Sequence, residues 1–74
     1  MRPIEYIRKN ILKVTQAEMA DIAGVTQATV SRWESGNFQP SLGDLARIRA
    51  EAANRDIALA DSAFFVVPAE VAAS

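Results

Sequence analysis

The most constraining stretch of this chain runs from Thr15 to Gly36, TQAEMADIAGVTQATVSRWESG, where two helix starts and two glycine stops crowd into 22 residues. Thr15, with Glu18 three positions later, has the form of a capping box, in which hydroxyl and carboxylate each satisfy a backbone N–H that the helix leaves orphaned. Gly24 can take the left-handed conformation that ends a helix, and Thr26 offers an oxygen to cap the next. Only Val25 lies between those two signals. The spacing predicts a helix over 16–23, a tight turn, and a second helix over 27–35 stopped by Gly36. So short a joint holds the pair at a fixed steep angle. This is a helix-turn-helix, a geometry that lets the second helix project into a DNA major groove.

The flanking segments supply the core that such a pair cannot build alone. Pro3 suits a first helical turn, and Ile4, Ile7, Ile11 and Val14 recur at three- and four-residue spacing with Arg8, Lys9 and Lys13 off that line. They predict a first helix over about 3–13 that covers the core. Within the motif, Ala17, Met19, Ala20 and Ala23 face inward from one helix, and Val30 and Trp33, with Val25 just ahead, from the next. The alanines matter because small residues let short helices cross closely. Ser41 with Asp44 caps a fourth helix that carries Leu42, Leu45, Ile48 and Ala52 inward. Asn54-Arg55-Asp56 reads as a break, and 57–60 as a last helical turn. Beyond it Ala63 to Val67 (AFFVV), bounded by Asp61-Ser62 and Pro68, has the aromatic and β-branched content of a short strand. The chain divides into a folded unit over 1–60 and a tail over 61–74.

Composition narrows the function. A length of 74 residues with half of them hydrophobic makes one small domain, near the size at which a single core is marginal, which favours a partner. There is no Cys and no His, so disulfides, thiol chemistry and the commonest metal and acid-base groups are absent. We expect no catalytic site, no metal and no cofactor. Clustered acids such as Glu18 with Asp21, or Asp56 with Asp61, read as solvated helix surface. No apolar run approaches the roughly 20 residues that span a bilayer, so a soluble cytoplasmic protein is expected.

The net charge of −1 weighs against nucleic-acid binding until its distribution is considered. Through Gly36 five basic residues (Arg2, Arg8, Lys9, Lys13, Arg32) face four acids, whereas from Asn37 onward three basic residues face five. Acidity therefore concentrates away from the motif. The electrostatic contribution to binding should be modest, which makes affinity depend more on dimerisation.

Gln16, Ala20, Gly24, Trp33, Glu34, Gly36 and Pro40 together resemble the pattern of the Cro and phage-repressor (XRE-type) helix-turn-helix family, over about Ile4 to Ala53. The resemblance implies a compact all-α domain of four to five helices. It also implies a sequence-specific transcriptional regulator, a repressor in preference to an activator, that binds double-stranded DNA as a homodimer and is nucleoid-associated when bound. Residues at the start of the second motif helix would read bases: Gln27, Ala28 and Thr29, with Arg32 one turn on. Gln can pair with adenine, Arg with guanine, and an Ala or Thr methyl can meet a thymine methyl. Ser31 is a weaker candidate. Gln16 would contact backbone phosphate, with Thr15 and Asn37 beside it at helix ends. Trp33 belongs to the core and not to a stacking platform. The resemblance also implies a pair between Glu34 and a base on the first helix, matched here by Lys9, which cannot form the two-pronged contact of an arginine.

The tail lies outside the resemblance. Phe64, Phe65, Val66 and Val67 form either a strand that pairs with its own copy or a protein partner, or a segment in which Phe64 or Phe65 folds back over the first and fourth helices. Cro-like proteins use a C-terminal strand in the first way. A rival reading follows from the acidic balance and this apolar tail: an antitoxin-like, anti-repressor or adaptor module that works by protein contacts.

Overall fold

Each helix of the motif begins and ends where its capping residues place it. In the computed structural model, which describes residues 1–67, α1 spans Pro3–Tyr6 and runs on as a π-wound segment over Ile7–Leu12. Then follow α2 (Gln16–Ala23), α3 (Gln27–Ser35), α4 (Leu42–Asn54) and a 3-10 turn over Asp61–Phe64. Thr15 Oγ1 accepts from the Glu18 N–H at 3.1 Å, while the Glu18 carboxylate accepts from the Thr15 N–H at 2.9 Å. Ser41 and Asp44 repeat the arrangement at the head of α4. Gly24 and Gly36 stop α2 and α3 in the left-handed region, at φ 72° and 85°.

Four elements meet in one core. Ile7, Met19, Val30 and Ile48 are fully enclosed, and each such burial is worth about 1.5–3 kcal/mol. Ala20, Ala23 and Trp33 are buried with them. Arg47 on α4 donates from Nε to the Ala23 carbonyl at 2.7 Å and from Nη2 to Asp44 at 2.8 Å. That bond ties the last turn of α2 to α4, so the motif is held from below as well as by its own turn.

Three sequence expectations are corrected here. The first helix is not α-helical to its end: from Ile7 its bonds widen to the five-residue step, and Lys13 closes it with φ 58°. As a result Leu12, five residues after Ile7, is buried, and Ile11 is only half-buried. Ala17 and Leu42 do not face inward. Burial fades along α4 from Ile48 through Leu45 to Leu42, which stands 86% exposed at the overhanging first turn. Nor does 57–60 form a helical turn. Asp56 turns left-handed at φ 55° and the Ile57 N–H returns to the Ala52 carbonyl, leaving an irregular link.

The strand expected over Ala63 to Val67 is also absent from the described residues, where no sheet exists for it to join. Instead the N–H groups of Phe65 and Val66 both donate to the Ser62 carbonyl at 3.0 Å, which curls the segment locally. Phe64 lies half-buried against the core, whereas Phe65 and Val66 are 74% and 64% exposed and Val67 is half-buried. Pro68, the expected stop, lies outside the described residues.

Candidate nucleic-acid interface

α3 has two unlike sides. Val30 and Trp33 are buried, while Gln27, Ala28, Ser31 and Arg32 are exposed at a spacing that puts them along one stripe. Anchored by its apolar side, the helix holds four outward positions in a fixed register. Thr29 departs from the expected set. It is half-buried, its N–H donates to Thr26 Oγ1 and its hydroxyl lies 2.9 Å from that same oxygen. The hydroxyl is engaged in the cap, whereas the Thr29 methyl has no such tie.

At the head of α2 the N–H groups of Gln16 and Ala17 fall in the first turn, where a helix has no partner of its own for them. The Gln16 side chain donates from Nε2 to Glu34 at 3.1 Å, using one of that nitrogen's two N–H groups and leaving the other for a ligand. Glu34 is itself held by Arg8, not by Lys9. Arg8 donates from Nε to Oε2 at 2.5 Å and from Nη2 to Oε1 at 3.0 Å, and its Nη1 reaches the Val14 carbonyl at 3.1 Å. Lys9 pairs with Glu5 on its own helix at 2.6 Å. The expected Lys9–Glu34 pair is therefore replaced by a two-pronged arginine contact.

The sequence carried a signal for this. Arg8 stands four residues after Ile4 and three before Ile11, so it lies on the buried stripe. A charged residue on that stripe needs a buried partner, and Glu34 provides it. Burial alone would raise the Glu34 carboxyl, but the hydrogen bonds from Arg8 and Gln16 and the charges of Arg8 and Lys9 outweigh it and hold the group below its ordinary range. The cluster thus places a neutralised acid, instead of a free one, beside the head of α2.

Ion pairing also redistributes the charge available to a ligand. Arg8, Lys9, Arg47, Arg49 and Arg55 are each paired with an acid. Among the described residues that leaves Arg2, Lys13 and Arg32 without an acidic partner. Lys13 precedes the cap of α2, Arg32 lies on α3, and the Arg2 guanidinium sits where a side chain on Gly36 would be. All three border the motif; Arg2 and Lys13 were not singled out as contacts from the sequence. Asn37, at the end of α3, is exposed while its N–H is taken by the Arg32 carbonyl at 2.9 Å. Of the acids considered as clusters, Glu18 caps α2 and Asp61 pairs with Arg49 at 3.2 Å.

No helix among the described residues is long and apolar enough to cross a membrane. Comparison with curated proteins and with solved structures gives no match. A family model described as helix-turn-helix matches residues 4–51, from the first helix through most of α4. With that match over most of its length and the two capped helices in place, the chain belongs to the Cro-type helix-turn-helix family, a family of DNA-binding transcription regulators.

Proposed function

We propose that the protein is a transcriptional repressor that binds a palindromic DNA operator as a homodimer in the cytoplasm, with α3 in the major groove. The observation that carries the reading is the outward stripe of Gln27, Ala28, Ser31 and Arg32 on a helix anchored by Val30 and Trp33. In this reading Gln27 and Arg32 read base edges, and Ala28 and the Thr29 methyl meet thymine. Gln16, Thr15 and Asn37 contact phosphate. One such helix covers only a few base pairs, so useful specificity needs two copies related by symmetry. Selection of bound fragments from random DNA will return a palindromic consensus with half-site centres about 10 bp apart, or a multiple of that. A consensus without two-fold symmetry would sink the homodimer, and failure to enrich any sequence would favour the protein-interaction module.

The surface we assign to the dimer is the tail over 61–74, through Phe65, Val66 and Val67; of these Phe65 lines a shallow groove with Leu42, Leu45 and Phe64. Phe64 serves the fold of the 1–60 unit as well, since it packs on the core. A Phe65→Glu, Val66→Glu double variant separates the two roles because both side chains are exposed. It should remain folded by circular dichroism, sediment as a monomer and bind the selected site weakly. A double variant that sediments as a dimer would exclude this surface.

A further inference from the structure

The stop at the end of α3 does more than end it. Gly36 donates to the Trp33 carbonyl and Asn37 to the Arg32 carbonyl, the paired bonds of a Schellman turn, and the Phe38 N–H also donates to the Arg32 carbonyl at 3.3 Å. The chain is thereby folded back one turn, and the Phe38 side chain lands against Arg32. Its ring lies under the guanidinium at 5.4 Å from carbon to centroid, within the range of a cation–π interaction. Phe38 is 51% exposed, so it is not placed there by the core.

From this geometry we infer that Phe38 is a positioning residue for Arg32 and sets which base pair that arginine reads. The inference rests on α3 being the base-reading helix. A guanidinium is flat, with its N–H groups in the plane of the group and its faces free of donors. A π face attracts the cation without accepting at a lone pair, so it need not use the edge that pairs with the O6 and N7 acceptors of guanine. An acidic partner would occupy the edge instead, and among the described residues Arg32 has none. The ring therefore restricts the rotamers of a long side chain without consuming its donors. Without the ring, Arg32 can swing to neighbouring bases or phosphates, so discrimination suffers more than total affinity.

The test uses the full chain and a duplex taken from selection on random DNA, with the base pair assigned to Arg32 varied through all four identities. Phe38→Ala should reduce preference at that pair by about two- to five-fold, the ratio that corresponds to an exposed cation–π contact. Phe38→Tyr and Phe38→Trp should restore it, while Phe38→Leu, which keeps bulk without a π face, should not. In an Arg32→Ala background, Phe38→Ala should change nothing further. If Arg32→Ala alters the preference but Phe38→Ala and Phe38→Leu leave it unchanged or sharpen it, the positioning role is wrong. A Phe38→Ala effect that persists without Arg32 would likewise overturn it, and would mean that the ring itself meets DNA. If Arg32→Ala leaves preference untouched at every position, base reading by Arg32 fails and the inference fails with it.

Discussion

An Arg8→Ala variant will lose about 3–5 kcal/mol of stability, the cost of leaving a buried acid without its partner. Arg8 and the Glu34 side chain are both almost wholly enclosed, and Arg8 closes two bonds to Glu34 and one to the Val14 carbonyl. A domain of this length holds about 4–11 kcal/mol in all, so the loss is a large share of what there is. The midpoint of thermal unfolding should fall by roughly 12 °C or more. Arg8→Lys keeps the charge but not the fork, and should fall between the two. Urea and thermal unfolding followed by circular dichroism decide the matter, and a loss below about 1 kcal/mol would show that the pair is worth no more than a surface contact. Acid should act through the same group. Glu34 titrates lower in the folded chain than in the unfolded one, so its contribution is complete at neutral pH and is lost as pH falls below about 4 and through the folded value. A Glu34→Gln variant should be less stable at neutral pH and show a shallower decline on acidification.

The second large effect is on recognition. Gln27→Ala and Arg32→Ala should each weaken binding to the selected duplex by about 1–3 kcal/mol and relax preference at one or two base pairs. Gln16→Ala should weaken all duplexes alike, because a phosphate carries no sequence. It also removes the bond to Glu34, so its unfolding midpoint must be measured beside its affinity. Titrations against duplexes with single-pair changes separate the two kinds of loss. Uniform losses from all three variants would contradict the assignment of α3 as the reading helix.

What could be read in advance follows from the range over which each signal acts. Capping by Thr15, Thr26 and Ser41 and stopping by Gly24 and Gly36 depend on neighbours three or four residues away, and these positions bound α2, α3 and the start of α4 as expected. The Arg8–Glu34 pair spans 26 positions and depends on how the first helix winds. Taking Ile4, Ile7, Ile11 and Val14 as the apolar line left Arg8 off it and put Ile11 in place of Leu12 in the core, although Arg8 stands on the same face four residues after Ile4 and the winding itself changes at Ile7. The tail shows a second limit: the residue types of AFFVV favour a strand, but a strand needs an edge to pair with, and an all-helical body offers none. The Phe38–Arg32 contact arises only once the Schellman turn has reversed the chain, so residue types alone gave no hint of it.

The two-sided character of α3 has a bearing on descent. Its outward side chains lend almost nothing to the fold, so exchanging them costs the domain little, and on the proposed reading a lineage can acquire a new operator through a few substitutions without first gaining stability to spare. The same indifference runs the other way. The fold does not protect those positions from drift, and on the proposed reading only the persistence of a DNA site would preserve them.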